Sequence, residues 1–269
     1  MYEAFVKGNS LPEAYHNALK ELYKHGEVLS CNDYAQNQKE VSMTFVVEDP
    51  MSEPMISRLY IGGFYELQQY LMEVLDGILD FKIGDSQNAW EYTYHDRIVN
   101  FPVTQATHPN IPAHGQSAID QLKFVIADLQ RSPDSRRAVI NIRDNSVDPF
   151  ISHPACLQNM QFLIRDGKLH MKILMRSNDA VEATFMNAFA FIMLQKKVAD
   201  ALGLSVGSYT HRANSFHCYE KDFELLEQYM DGITNKPFDE ITYDYQDFFR
   251  DIMEEAIPEI EKAVEKLKT

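Results

Sequence analysis

Residues 160–175 read MQFLIRDGKLHMKILM, and this stretch decides the fold. Two runs rich in branched or large apolar side chains, 160–165 and 169–175, flank Asp166-Gly167, a dipeptide typical of tight hairpin turns. The pattern therefore predicts two antiparallel strands. Residues 138–143, AVINIR, have a similar composition and predict a third strand of the same sheet.

The segments around this hairpin predict the rest of an α+β fold. Residues 180–202 are apolar on nearly every side, which is typical of a helix buried against a sheet. Further strands are predicted at 41–47 and 208–219, amphipathic helices at 11–23, 65–79 and 116–130, a proline-rich loop at 101–115, and acidic helices near 220–231 and 247–267. This order is not a regular βαβ alternation, so we expect a mixed sheet in a single domain spanning residues 1–269.

Composition narrows the function classes. The chain carries 25 Lys and Arg against 40 Asp and Glu, a formal charge of −15, which disfavours binding to nucleic acid. The three cysteines include no closely spaced pair and indicate a reducing, cytoplasmic setting without disulfides. Neither a signal peptide nor an apolar run of about 18 residues occurs, so we expect a protein that is neither secreted nor membrane-bound.

Cys156, in the segment HPACL, is the first candidate for chemistry. On local sequence it fits a small buried apolar residue better than a positioned nucleophile. The basic motifs nearby are Arg136-Arg137 and Arg176-Ser177. They can form a phosphate cradle whose positive field lowers a thiol pKa, or they can be ordinary surface residues.

His217 and Tyr219 alternate on a predicted strand, so both side chains face the same way and can grip a sugar hydroxyl together. His211, His217 and Cys218 do not have the spacing of zinc ligands, because adjacent strand residues point to opposite faces. We therefore expect no metal.

Together these segments resemble thymidylate synthase and its nucleotide hydroxymethylase relatives. From the nucleophile onward the family pattern is matched without a gap by Cys156, Gln161-Phe162, Arg176-Ser177, Asp179, Asn187 and His217-Cys218-Tyr219. Upstream, Ser135-Arg136-Arg137 matches the family's SRR, Glu66-Leu67 resembles the start of its ELLWFL helix, and Tyr94 with Arg97 resembles its YGxxWR. The resemblance is good from about residue 116 to 222 and looser from 60 to 100.

The resemblance implies a thymidylate synthase-like domain that forms a homodimer through its sheet. It implies transfer of a one-carbon unit from 5,10-methylenetetrahydrofolate to carbon 5 of a pyrimidine nucleoside monophosphate. Cys156 would add to carbon 6 of the ring, Glu66 would move protons through ordered water, and Tyr94 would help to remove the proton on carbon 5.

The resemblance also implies binding roles. The substrate-binding residues would be Arg136 and Arg137 from the partner subunit, Gln161, Arg176, Ser177, Asn187, His217 and Tyr219, with Asp179 on the pterin. The Asn187 amide can donate to O4 and accept from N3–H of uracil, which favours uracil over cytosine. Asn187 can instead be a polar residue buried for structural reasons.

Departures from the family pattern bear on the final step. The family's Cys-His is Cys156-Leu157 here, its paired tryptophans are reduced to Trp90, and an apolar C-terminal tail is absent. Because these changes favour water at the reacting carbon, we expect a nucleotide 5-hydroxymethylase, with dUMP the first choice and CMP or dCMP open. The alternatives are a methylating thymidylate synthase and a catalytically inactive relative that acts as a binding protein. No arginine precedes Arg58, so Lys39 is a candidate to replace the family's N-terminal phosphate-binding arginine.

Overall fold

The computed structural model describes residues 1–84, 89–102 and 118–268. In chain order the strands are β1 (Glu3–Gly8), β2 (Glu27–Cys31), β3 (Gln36–Val47), β4 (Ile56–Ser57), β5 (Phe101–Pro102), β6 (Ala118–Ile119), β7 (Val139–Asn141), β8 (Leu157–Arg165), β9 (Lys168–Met175), β10 (Asn178–Asp179), β11 (Ser205–Tyr219) and β12 (Thr242–Tyr243). The α-helices are α1 (Leu11–His25), α2 (Phe64–Asp76), α3 (Tyr94–Val99), α4 (Gln121–Arg131), α5 (Thr184–Leu202), α6 (Phe223–Asn235), α7 (Arg250–Glu255) and α8 (Ile257–Lys268).

A mixed sheet forms the centre of the molecule. Its strand order is β1-β3-β11-β9-β8-β7, with β2 also paired to β3 and β10 to β11. β1 and β3 are parallel, as are β9 and β11, whereas β3 and β11, β8 and β9, and β7 and β8 are antiparallel. The predicted hairpin is confirmed: Asp166 and Gly167 have φ values of 51° and 73°, the left-handed backbone that its tight turn requires.

Helix α5 packs on the sheet, as its apolar sequence predicts. Its buried residues include Phe185, Phe189 and Phe191. The fully buried amide of Gln195 donates hydrogen bonds to the carbonyl oxygens of Leu169 (2.8 Å) and Gly207 (3.0 Å). These bonds tie the helix to β9 and to the bulge in β11, where backbone groups would otherwise lack partners.

Most of the other predicted elements are present, with shifted bounds. The predicted strand at 41–47 begins earlier, at Gln36, and β1 and β2 were not predicted. The acidic helix predicted at 247–267 is divided into α7 and α8 beside Pro258, which has no N–H to continue a helical ladder. Most of the loop predicted at 101–115 lies outside the described residues.

Among the described helices, none is both long and apolar enough to cross a membrane.

A buried ion cluster fixes α3 against the segment that leads to Cys156. Arg97 is 4% exposed, and its guanidinium lies 3.0 Å from Oδ1 of Asp148 and 3.7 Å from Oδ2 of Asp144. It also donates to the carbonyl oxygen of Ile142 at 3.3 Å. Because the Asp148 side chain is fully buried, the Arg97 guanidinium offsets the cost of burying its carboxylate.

Replacing Arg97 by Met is therefore expected to lower the free energy of unfolding by about 3–5 kcal/mol, because the Asp148 carboxylate stays buried without its counter-charge. Urea unfolding measures the change. In the control Lys196→Met, loss of the exposed pair with Asp200 should change stability by no more than about 0.5 kcal/mol. If Arg97→Met lowers the free energy of unfolding by as little as this control does, the prediction is wrong. If the decrease is large, adding Asp148→Asn should restore part of the lost stability.

Candidate active site

The strand register brings four of the candidate residues to the same end of the sheet, namely Cys156, Arg176, Asp179 and His217. Leu157 at the start of β8 pairs with Met175 at the end of β9, and Met175 pairs with Ala213 of β11. Cys156 and Arg176 are therefore neighbours just beyond the paired ends. β10 adds Asp179 beside His217 at the same edge.

Cys156 is half-buried and is held in place by Arg176. The main-chain N–H of Arg176 donates to the carbonyl oxygen of Cys156 at 2.8 Å. Its guanidinium donates to the carbonyl oxygens of Pro154 (2.8 Å) and Ala155 (3.2 Å). Burial raises the pKa of the Cys156 thiol, and the positive charge of Arg176 opposes that rise.

Three phenols lie near Cys156. Cys156 contributes electrostatically to the raised pKa values of Tyr70, Tyr92 and Tyr94, although burial is the largest cause in each case and brings Tyr92 to about 12. The hydroxyl of Tyr94 accepts a hydrogen bond from the N–H of Leu157 at 3.4 Å. These hydroxyls keep their protons at neutral pH, so they act on a ligand or water as neutral hydrogen-bonding groups.

A cleft of about 590 Å³ opens beside these phenols. Its lining includes Tyr70, Tyr92, Tyr94, Trp90, Glu73 and His153. Trp90 is 38% exposed, and the Lys82 ammonium lies 4.5 Å from its ring centroid. Burial raises the pKa of Glu73, whose Oε1 accepts from Gln69 at 2.9 Å. The aromatic walls suit a flat ring system.

Helix α2 places Glu66 and Tyr70 one turn apart on one face, against α5. Oε2 of Glu66 accepts from the N–H of Gly63 at 2.8 Å and so caps its own helix. The Tyr70 hydroxyl donates to Oδ1 of Asn187, which is 5% exposed near the start of α5. The carboxylate and the amide expected from the sequence thus lie on α2 and α5, two helices that are in contact.

The pair predicted to bind a sugar hydroxyl is also brought together. His217 and Tyr219 lie on one face of β11, with ring centroids 4.8 Å apart. The pKa of His217 is lowered to about 4, chiefly by burial and also by the charge of Arg176, although a hydrogen bond to the carbonyl oxygen of Ser215 acts in the opposite direction. His217 is therefore neutral near pH 7, able to donate from one ring nitrogen and accept at the other. Ser177 follows Arg176 and is half-buried.

Asp179 carries a buried oxygen without a partner. Its Oδ1 accepts from the N–H groups of Val181 (2.9 Å) and Glu182 (2.8 Å), whereas Oδ2 has no hydrogen-bond partner among the described residues. Burial raises the pKa of Asp179 to about 6. Asp179, Glu182 and Asp222 bring carboxylates within 4.8 Å of one another, but the Lys221 ammonium already pairs with Glu182 and lies 3.6 Å from Asp222.

Several predicted residues are not brought to Cys156 within this chain. Arg136 and Arg137 are exposed, and Gln161 donates to the carbonyl oxygen of Arg136 at 3.0 Å. Gln161 is five residues along β8 from Cys156, about 16 Å at the rise of a strand. Lys39 pairs with Cys218 across β3 and β11, and its ammonium lies 4.9 Å from the centroid of the Tyr23 ring.

Sequence reasoning missed Tyr70, Glu73, Tyr92 and Glu91. The signal for Tyr70 is its position four residues after Glu66 on a helix, which places both on one face. Glu91 accepts from the N–H groups of Ser152 (3.0 Å) and His153 (2.8 Å), so it holds the segment that approaches Cys156. That contact joins distant parts of the chain and leaves no local sequence signal.

Comparisons with known proteins agree on one family. The sequence model described as Thymidylate synthase matches residues 67–260. A protein of Methanocaldococcus jannaschii named "Putative thymidylate synthase" is 29% identical over 230 residues, 83% of this chain and 95% of that protein. A protein of the same name from Methanosarcina barkeri is 27% identical over 228 residues, 85% of this chain and 95% of its own.

The fold has a counterpart among solved structures. Thermostable thymidylate synthase A from Bacillus subtilis superposes with a TM-score of 0.62 at 17% sequence identity, covering 82% of this chain and 84% of that one. At this identity the likeness concerns the fold, including the mixed sheet and the helices packed on it.

The effect of the Arg176 charge on the pKa of the Cys156 thiol should be measurable. In Arg176→Gln the pKa of the Cys156 thiol should rise further, because the variant lacks the positive charge that opposes the effect of burial on this pKa. Alkylation by iodoacetamide needs the thiolate, so its pH profile should move to higher pH. If the thiol pKa is about one unit higher, alkylation at a pH below that pKa is about tenfold slower, because the thiolate fraction is about tenfold smaller.

The matched control is Arg143→Gln, since Arg143 lines a neighbouring cleft with Arg176 but does not contribute to the Cys156 pKa. Peptide mass spectrometry separates Cys156 from Cys31 and Cys218. An unmoved profile in Arg176→Gln, or an equal change in both variants, would contradict the assignment.

Proposed function

The chain belongs to the thymidylate synthase family, and on that premise we propose that it transfers a one-carbon unit to carbon 5 of dUMP with Cys156 as the covalent nucleophile. Members of this family are folate-dependent one-carbon transferases with methylenetetrahydrofolate as cosubstrate. The family match confirms the resemblance drawn from the sequence motifs. The observation that carries the proposal is the half-buried thiol beside Arg176, three phenols and the aromatic cleft.

The thiol performs the first step. The Cys156 thiolate forms a bond from sulfur to carbon 6 of the pyrimidine, and the electron pair of the 5,6 double bond moves to carbon 5, which becomes nucleophilic. After carbon 5 bonds to the methylene of the cosubstrate, loss of the proton on carbon 5 and departure of the folate nitrogen leave a methylene group on the ring. Addition of a hydride or of water to that methylene re-forms the 5,6 double bond and expels the Cys156 sulfur from carbon 6 as thiolate. Tyr94 and Glu66 would hold the water that carries these protons, since the Tyr94 hydroxyl keeps its own proton and the Glu66 cap uses only Oε2.

Asn187, His217 and Tyr219 would recognise the nucleoside. The Asn187 amide is complementary to O4 and N3–H of uracil, which supports dUMP over dCMP. Neutral His217 and the phenol of Tyr219 share one face of β11 and can bind a sugar hydroxyl together. Arg176 keeps unused N–H donors after its bonds to Pro154 and Ala155, so it can bind phosphate without releasing the nucleophile segment.

The remaining phosphate contacts are proposed to come from a second subunit. Arg136 and Arg137 are exposed at the far end of the β7–β8 pair, too distant to join Arg176 in the same chain. A symmetric dimer formed through the sheet would present them to the partner's site. Gln161 donates to the carbonyl oxygen of Arg136, so we assign Gln161 to the same trans group.

Two features fit the pterin of the cosubstrate. The cleft walls are aromatic, and the buried Oδ2 of Asp179 is an acceptor without a partner among the described residues. Asp179 does not line the cleft, so its assignment to the edge of the pterin rests on the family resemblance and on this oxygen, and the aromatic residues are assigned to the ring faces. Methylenetetrahydrofolate supplies the one-carbon unit and, in methylating members, the reducing hydride.

For the final step we propose methylation. Trp90 with Tyr92 and Tyr94 forms the aromatic wall that the sequence departures had put in question, and such a wall excludes water. The names of the two archaeal relatives add support. Hydroxymethylation, expected from the sequence, is the second candidate. Glu73 favours it, because its carboxylate lines the same cleft and can hold a water molecule there.

One assay tests the reaction. The enzyme is incubated with methylenetetrahydrofolate and dUMP, dCMP or CMP, and we expect dihydrofolate absorbance and a methylated product from dUMP alone. Cys156→Ala should lower kcat by at least about 10³-fold, because the covalent route is lost. Cys218→Ala, which removes a buried thiol with a pKa raised to about 12, should remain near wild type.

The other outcomes decide between the candidates. A hydroxymethyl product without dihydrofolate identifies the hydroxymethylase. Tight nucleotide binding without any product identifies a catalytically inactive binding protein. Activity that survives in Cys156→Ala would overturn the nucleophile assignment.

Subunit mixing tests the trans arginines. Cys156→Ala and the double variant Arg136→Gln/Arg137→Gln should each be inactive alone. After unfolding and refolding of an equal mixture, half of the dimers are hybrids with one complete site, so activity should recover to about a quarter of wild type. No recovery, with dimers confirmed by light scattering, would place these arginines outside the partner's site.

A further inference from the structure

One contact in the site has no role in the mechanism above. The Tyr70 hydroxyl donates a hydrogen bond to Oδ1 of Asn187, and Tyr70 also lines the aromatic cleft. Among the described residues, the amide nitrogen Nδ2 of Asn187 donates to none, although the residue is only 5% exposed. One end of this amide is therefore held by the protein, and the other is left for a ligand.

The contact selects one orientation of the amide. Rotation by 180° would exchange Oδ1 and Nδ2, and the Tyr70 hydroxyl would then accept a bond from Nδ2. Its own proton would be left without an acceptor, since Asn187 is its only acceptor among the described residues. Burial raises the pKa of Tyr70, so this proton is not lost. A buried donor without a partner is unfavourable, which leaves Oδ1 facing Tyr70.

The orientation of the amide matters because uracil and cytosine present opposite hydrogen-bond donors and acceptors at positions 3 and 4 of the ring. Uracil offers a carbonyl oxygen at position 4 and an N–H at position 3, whereas cytosine offers an amino group and an unprotonated nitrogen. An Asn amide matches uracil in one orientation and cytosine in the other. With Oδ1 held by Tyr70, Nδ2 is the end free to donate to O4, and the second lone pair of Oδ1 can accept from N3–H.

We propose that Tyr70 is a specificity-determining positioning residue, which selects uracil over cytosine by fixing the orientation of the Asn187 amide. This inference rests on the proposed function, because it assumes that Asn187 contacts the base. It assigns the choice of base to a pair of residues on facing helices, α2 and α5, rather than to Asn187 alone.

Tyr70→Phe keeps the ring in the cleft wall and removes only the hydroxyl. We would measure equilibrium dissociation constants for dUMP and dCMP by calorimetry without cosubstrate, and the kcat/KM ratio with it. The preference for dUMP should fall by about 10- to 100-fold, the effect of one buried hydrogen bond on discrimination. Tyr65→Phe is the matched control, because Tyr65 lies on the same helix but packs against Met72, Leu79, Ile260 and Val264. Its preference should stay within about twofold of wild type.

The variant Asn187→Ala separates positioning from packing. With no amide to orient, adding Tyr70→Phe should leave the ratio of the two dissociation constants unchanged. If Tyr70→Phe keeps the wild-type preference for dUMP, the role of Tyr70 is wrong but the proposed function stands. The same conclusion follows if Tyr70→Phe changes the preference as much in the Asn187→Ala background as in the wild type. That second comparison still applies if Tyr70→Phe weakens the fold. Wild-type protein that binds neither nucleotide would overturn the proposed function as well.

Discussion

The hydrogen bonds between Arg176 and residues 154–156 are the constraint on which the site depends. They attach the segment that carries Cys156 to the end of β9, and the same guanidinium supplies the positive charge that opposes the raised pKa of Cys156. Its remaining N–H donors are the proposed phosphate ligands. If one side chain supports the backbone, the thiolate and the substrate, no single kinetic constant of an Arg176 variant reports one of these roles.

The end of the sheet that carries Cys156 and Arg176 was predictable, because its geometry follows from local sequence. Asp166-Gly167 fixes the turn between β8 and β9, and counting back from that turn brings Cys156 next to Arg176, with only the bulge between Leu157 and Asn159 to shift the register. The apolar run of α5 was equally informative, because a helix that is apolar on nearly every side must be buried.

The aromatic cleft was not predictable in the same way. Tyr70, Trp90 and Tyr92 come from α2 and from the segment before α3, whose positions depend on contacts made far along the chain, such as that of Glu91 with Ser152. Lys39 shows the converse. Its sequence position suggested a phosphate ligand, but its strand directs the ammonium to the ring of Tyr23, where it gains a cation–π contact.

Trp90 forms part of the cleft wall and is also a fluorescent reporter of the cleft. It is the only tryptophan in the chain, and its half-exposed ring lies beside both the Lys82 ammonium and the space between the phenols. Indole emission responds to solvent and to nearby charge, so all of the tryptophan fluorescence of this protein originates at the cleft. Entry of a flat ring would change the intensity and wavelength of a single emitter, and occupancy could be followed in real time without a label.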